Sequence, residues 1–310
     1  MRLFRHYSDL ADEARGAVVA LGNFDGVHRG HAALIEAAQQ RARDSGRKLA
    51  VVTFEPHPRS LFQPDAPPFR LTPFRVKTRE LAALGVELCF TLHFDAAFAL
   101  IPAEDFVKTV LVDGLAACHV VCGYDFVFGH GRVGDGALLR RLAVQHGFAA
   151  TVIAPICDPA GEPYSSTRIR RLLQDGAVRE AAAVLGRPWT VDGRVEHGDQ
   201  RGRTIGFPTA NLDLADYVRP AYGVYAVRAL PENGVWHHGV ANLGRRPTVD
   251  GFREWFEVHL FDVSPDLYGR HLRVELVEFL RPEQRFASLA ALKEQIAADV
   301  VRARQVLAAP

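Results

Sequence analysis

Two histidines three residues apart, His28 and His31, close the stretch GNFDGVHRGH, which runs from Gly22 to His31. Imidazoles donate hydrogen bonds, and a pair held together can stabilise oxygens whose charge redistributes as a phosphoryl group moves, an effect worth several kcal/mol. Neither ring needs to be a nucleophile. Gly22, Gly26 and Gly30 permit close backbone approach and left-handed turns, so the stretch suits a polyphosphate. If the following helix already includes His28, both rings project from nearby faces of its first turn. Ordinary surface or helix-capping histidines are the competing account. A zinc site would need a third ligand at suitable spacing, and none is apparent. The stretch is neither a dinucleotide fingerprint nor a P-loop.

Three further stretches carry groups that could hold or transfer phosphate. In YSSTRIRRLL, Tyr164 to Leu173, the hydroxyls of Ser165, Ser166 and Thr167 precede a helical run, and Arg168 and Arg170 add fixed positive charge near its start. A structural cap explains those hydroxyls equally well. In RGRTIGFPTANL, Arg201 to Leu212, glycines including Gly206 allow a loop to wrap phosphates. Pro208 stiffens it, and Thr209 and Asn211 present neutral oxygens on one strand face. Such a pair suits one Mg²⁺, and a turn leading into an edge strand is the plain alternative. Glu257, within FEVHLFD, offers a carboxylate that could accept the proton of an attacking alcohol, although a lone strand glutamate is commonly solvent-facing.

The elements that must position these groups fall into two textures. From Ala17 to about Gly186, short β-rich runs alternate with helical ones: AVVALGNF, HAALIEAAQQRARDSG and AVVTF, then RVKTRELAAL and ELCFTLHF, then HVVCGYDF, ALLRRLAVQHG and TVIAP. Leu34, Ile35 and Ala38 share one face of the first helix. Such alternation predicts a Rossmann-like α/β domain with a parallel sheet. GNFDGVHRGH then falls at the carboxyl end of the first strand of the pattern, where such sheets bind phosphate. After Gly186 the strand-like runs WTVDGRVEH, YGVYAVRAL, VWHHGVAN, REWFEVHLF and HLRVELVEFL follow one another, closed by the helical SLAALKEQIAADVVRARQVL. That half reads as an antiparallel β-barrel with a C-terminal helix. The expected domains are 1–185 and 186–310.

Taken together, these stretches resemble a known family. The H-x-G-H run is similar to the signature of nucleotidyltransferases, which transfer AMP from ATP and release pyrophosphate. Combined with S-S-T-R-I-R, it resembles the FMN adenylyltransferase module of bacterial bifunctional FAD synthetases. The resemblance implies that His28 and His31 are catalytic, and that Gly22, Asn23, Phe24, Gly26, Ser166, Thr167, Arg168 and Arg170 bind ATP phosphates. VTFEPHPR, Val52 to Arg59, and GYDFVFGHGRVGD, Gly123 to Asp135, are similar to the family's flavin- and nucleotide-facing loops. Phe62, Phe106 and Phe128 are then candidate walls for the flavin, and Asp125 matches a family position that also appears as Asn. In the second half, GFPTAN, GVANLGRRPTV, FEVHLFD, DLYG and FLRPEQRFASLAALKEQI resemble riboflavin kinase. That likeness implies that Thr209 and Asn211 bind Mg²⁺ with ATP, that Gly206 lies in the phosphate loop, and that Glu257 accepts the proton of the riboflavin 5′-hydroxyl. ATP, riboflavin and FMN are the implied substrates, and Mg²⁺ the implied cofactor.

Composition bounds the remainder. The chain has 310 residues, 48% hydrophobic and 24% charged, enough for about two cores. A net charge of +1 provides no field to draw in nucleic acid or an anionic membrane, and no basic stripe or aromatic RNA platform is present. No run reaches a membrane-spanning length and the start lacks a secretory pattern, so the expected location is the cytoplasm. No obligate protein partner is expected. Cys89, Cys118, Cys122 and Cys157 lack metal-like spacing and read as core or surface thiols.

Overall fold

The structure, a computed structural model, describes residues 1–197, 206–232, 234–248, 251–263 and 266–308. Arg201 to Ile205 of the second glycine loop and Val249 of GVANLGRRPTV lie outside the described residues. Packing divides the chain into two compact units, Met1–Ala66 with Thr72–Ser165, and Pro67–Leu71 with Ser166–Pro310.

In the first unit the elements are β1 (Arg2–Phe4), β2 (Val18–Leu21), α1 (Arg29–Ser45), β3 (Leu49–Glu55), α2 (Pro58–Phe62), α3 (Phe74–Ala83), β4 (Leu88–His93), α4 (Ala96–Ala99), α5 (Ala103–Phe106), β5 (His119–Gly123), α6 (Gly136–His146) and β6 (Ala149–Ile153). The strands form one parallel sheet in the order β1-β4-β3-β2-β5-β6. Both faces are covered: Val19 and Leu21 of β2 join one core, Val18 and Ala20 the other. The VVAL run is therefore continuously apolar rather than alternating. From β2 the chain builds outward through β3 and β4 on one side, then returns to place β5 and β6 on the other. The turn leaving β2 lies at that switch point, where open α/β sheets leave a crevice. α1 buries Leu34, Ile35, Ala38 and Ala42 and stops at Gly46, whose left-handed φ of 64° closes the helix.

The second unit contains α7 (Ser166–Gln174), α8 (Val178–Leu185), β7 (Trp189–Glu196), β8 (Ala210–Leu212), β9 (Gly223–Pro231), β10 (His237–Thr248), β11 (Gly251–Leu260), β12 (His271–Pro282) and α9 (Leu289–Ala308). The strands close an antiparallel barrel in the order β10-β11-β8-β7-β12-β9. Ala303 of α9 is fully buried in a cluster with Val224, Ala226, Val240, Phe261 and Leu280, and the Arg281–Asp299 pair at 2.7 Å pins the helix.

Two features differ from the sequence reading. β1, flanked by charged residues and only three residues long, gives no periodic signal, yet it pairs with β4 at the sheet edge. The helices before Gly186 and the strap Pro67–Leu71 pack with the barrel, whereas the expected domain border falls at Gly186. α8 turns Val178, Ala181, Val184 and Leu185 inward and packs on β12 and β7. The Trp189 indole donates to the Leu71 carbonyl at 3.0 Å, and Arg70 N–H donates to the Asp216 carbonyl at 3.0 Å.

Candidate active sites

The first candidate site is the turn between β2 and α1. Gly22, Asn23, Phe24, Gly26, His28 and His31 come together here. Phe24 and Val27 take left-handed φ values of 51° and 45°, and Gly26 one of 93°, so the chain reverses tightly before α1 begins. Of the two placements the sequence leaves open for His28, first helical turn or cap, the structure has the cap: His28 is the N-cap, with extended backbone. Its Nδ1 accepts the His31 N–H at 3.3 Å. A neutral ring whose Nδ1 accepts carries its proton on Nε2, so capping and donating use opposite ends of the same imidazole. The capping account and the catalytic account thus describe one arrangement.

The two rings stack at 3.7 Å between centroids, and the fully buried Phe24 ring meets His31 edge-on at 5.2 Å. His28 is buried and His31 half-buried. Gly30 has a steric reason: a β-carbon there would sit 3.2 Å from the His28 ring and 3.2 Å from the Tyr164 carbonyl. The helix N-terminus contributes partial positive charge and outward N–H groups, so the turn can receive an anion.

Around this turn the other candidates are distributed unevenly. Asp125 is exposed and follows β5, which pairs directly with β2. Cys122, just before it, is inert: burial first, then the Asp125 carboxylate, push its thiol up to about 11 against the opposing pull of Arg140. Phe62 is 62% exposed and meets Phe94 edge-on, whereas Phe106 and Phe128 are core residues in mutual contact at 5.6 Å. α7 begins at Ser166, so Ser166, Thr167, Arg168 and Arg170 belong to its first turns, within the second unit. There Arg170 Nε donates to the Phe69 carbonyl at 2.7 Å and its guanidinium lies over the Phe69 ring.

Sequence reasoning missed the partners that hold the turn. Asp25, 2% exposed, accepts the Thr72 N–H at 3.0 Å, and Gly26 N–H donates to the Thr72 hydroxyl at 2.8 Å. The Thr53 hydroxyl donates to the Asn23 carbonyl at 3.0 Å. Nothing in their local sequence marks these threonines.

The second candidate site is built by register. Asn211 on β8 lies opposite Glu257 on β11, and Glu257 lies opposite Asn242 on β10. On the other side Asn211 faces Glu196 of β7. Directly opposed residues share a sheet face, so these four form one polar row, on the face opposite Leu212, Phe256 and Leu243. Asn211 is buried, and Glu196, Asn242 and Glu257 are half-buried. β8 is interior to the closed barrel, so GFPTAN does not lead into an edge strand. Thr209 directly precedes β8, and the adjoining Pro208 carbonyl is 2.8 Å from His259 Nδ1. Gly206 enters this stretch with a φ of 91°, open to solvent. Asn242 and Glu196 were not among the expected site residues; only the strand pairing reveals them.

Hard cations take oxygen ligands, and Mg²⁺ commonly keeps several waters and substrate phosphates with few protein groups. Thr209 and Asn211 fit that pattern, with the Glu257 carboxylate one strand away. Among the described residues no cluster of three or more His, Cys, Asp or Glu could hold a metal, and all four cysteines are free. No described helix is long and apolar enough to cross a membrane.

Comparison with known proteins adds identity to this geometry. A family model described as FAD synthetase matches residues 10–168, and one described as riboflavin kinase matches residues 185–307. The bifunctional riboflavin kinase/FMN adenylyltransferase of Escherichia coli K12 is 46% identical over 306 residues, spanning 98% of this chain and 97% of its own. Its Pseudomonas fluorescens namesake is 43% identical over 311 residues, spanning 100% and 99%. A solved Streptococcus pneumoniae structure, described as a macrolide-efflux protein, matches with a TM-score of 0.86 at 33% identity over 98% of both chains.

Proposed function

Because the chain belongs to the bifunctional riboflavin kinase/FMN adenylyltransferase family, and so phosphorylates riboflavin to FMN and adenylylates FMN to FAD, we propose which residues carry each reaction. His28 and His31 serve adenylyl transfer. Their Nε2 side donates to the phosphate oxygens of ATP while an FMN phosphate oxygen attacks the α-phosphorus and pyrophosphate leaves. Gly22, Asn23, Phe24 and Gly26 bring the backbone close to the phosphates, and the N-terminus of α1 adds its partial charge. Ser166, Thr167, Arg168 and Arg170 supply further donors, Phe62 and Phe128 flank the flavin, and Asp125 orients it. The stacked, capped histidine pair carries this reading.

In the barrel, Glu257 accepts the riboflavin 5′-hydroxyl proton as that oxygen attacks the γ-phosphorus of ATP and ADP leaves. Phosphoryl transfer asks mainly for alignment and charge stabilisation, so a well-placed carboxylate beside oxygen ligands suffices. Thr209 and Asn211 hold Mg²⁺, with Gly206 in the phosphate loop; the ion supplies charge neutralisation at the phosphates. The register row Asn211–Glu257–Asn242 supports this assignment. Small-molecule substrates alone, a cytoplasmic location and no obligate protein partner complete the reading; the net charge of +1 offers no field to draw in nucleic acid. Incubation with riboflavin, ATP and Mg²⁺, with flavins separated over time, should show FMN rising before FAD. Chelation with EDTA should stop both, and product formation undiminished in EDTA would remove the Mg²⁺ assignment.

A further inference from the structure

Lys77 is fully buried on α3, and neither reaction as described uses it. Its ammonium lies 3.2 Å from the Thr53 hydroxyl, 3.2 Å from Glu55 Oε2 and 3.5 Å from the Phe54 carbonyl. Taking an ammonium out of water costs several kcal/mol, and a buried ion pair is often no more stabilising than packed hydrophobic groups. Stability alone therefore explains this lysine poorly, and its contacts lead elsewhere.

An ammonium only donates, so the Thr53 oxygen accepts from Lys77, and the single hydroxyl proton goes to the Asn23 carbonyl at 3.0 Å. The direction of the relay is fixed from the lysine to the turn. The next residue, Phe24, holds a left-handed φ of 51°, a strained conformation for a residue with a β-carbon that persists only when its surroundings hold it. The Phe24 ring then touches His31, and His31 stacks on His28. From the other side Thr72, just before α3, receives the Gly26 N–H and donates its own N–H to Asp25. α3 thus grips the turn at both ends.

We propose that Lys77, acting through Thr53 on the Asn23 carbonyl, is a positioning residue of adenylyl transfer that sets the placement of Phe24 and hence of the histidine pair. The inference rests on the reading that His28 and His31 serve that reaction. A shift of one ångström in catalytic geometry can cost about 10²-fold, and a placement that matters only in the transition state shows in kcat rather than KM.

The test measures FAD formation from FMN and ATP, and FMN formation from riboflavin, in Thr53→Val, Thr53→Ser, Lys77→Met and the Thr53→Val/Lys77→Met pair, with His28→Ala/His31→Ala alongside. Thr53→Val should lower kcat for FAD formation about 10-fold to 100-fold with both KM values within about 3-fold of wild type. Thr53→Ser should restore kcat to within about 3-fold, FMN formation should be unaffected, and the pair should be no worse than its weaker member, because both lie on one relay. A wild-type kcat in Thr53→Val, equal loss in the Ser and Val variants, or additive losses in the pair would overturn the relay. Should Lys77→Met fail to fold, the Val and Ser comparison decides alone. Retention of FAD formation by the histidine variant would instead sink the reading beneath it; loss there with a normal Thr53→Val would sink only the relay.

Discussion

The turn at Gly22–His31 and the polar row of the barrel place their donors by opposite means. In the turn, neighbouring residues in the chain do everything visible: glycines admit the reversal, His28 caps, and His31 stacks on it. Its supports, Thr53, Thr72 and Lys77, reach in from elsewhere only to hold its backbone. In the barrel, Asn211, Glu257 and Asn242 come from three strands and meet because hydrogen-bond register aligns them. A local site fails when its backbone shifts. A register site fails when strands slip by one residue, which turns every side chain to the other face.

That contrast orders the expected effects of substitution. The largest belongs to His28→Ala/His31→Ala, which removes both donors at the developing phosphate charge; FAD formation from FMN should fall by about 10³ or more, at roughly 10²–10³ for one such donor. FMN formation from riboflavin should stay at wild type, and a folded variant that loses both activities would break the comparison. Gly30→Ala sharpens it. The added methyl lies 3.2 Å from both the His28 ring and a backbone carbonyl, so the ring must give way by tenths of an ångström. FAD formation should drop about 10-fold with FMN formation unchanged, because a small displacement costs less than full misplacement. An unaltered rate would show that the ring position tolerates movement.

A smaller effect concerns what the barrel needs to stand alone. Fragments beginning at Ser166 and at Gly186 differ by α7 and α8, whose Val178, Ala181, Val184 and Leu185 are buried against their own unit. The shorter fragment lacks those side chains and uncovers the faces of β12 and β7 on which α8 packs, and burial of each Val or Leu is worth roughly 1.5–3 kcal/mol. Its melting midpoint should lie about 10 °C or more below that of the longer one, given several degrees per kcal/mol in small domains. Equal midpoints would mean that α8 contributes nothing to barrel stability.

What the sequence discloses follows the same division. The strand and helix alternation, the barrel strands and the histidine turn were legible, because periodicity, glycine punctuation and cap residues act over a few positions. The burial of Phe106 and Phe128 is not legible in the same way, because burial is a property of the assembled core in which both lie. The hydroxyls and arginines of Ser166 to Arg170 are legible as a helix start, whereas the membership of α7 in the barrel's unit is not. The association of α7 and α8 with the barrel, the pairing of Glu257 with Asn211 and Asn242, and the burial of Lys77 depend on contacts between residues far apart in the chain, where no local pattern speaks.

Two reactions on two separate constellations is the central claim, and Glu257→Gln tests it most directly. The amide keeps the size and hydrogen bonding of the carboxylate but is no longer a base. Rates of FMN formation from riboflavin and of FAD formation from supplied FMN should be measured on the same preparation. The first should fall by about 10² or more, the usual worth of a general base, with riboflavin and ATP binding retained, and the second should equal wild type. Near-wild-type phosphorylation would remove Glu257 from the chemistry, and a parallel loss of FAD formation would contradict the division itself.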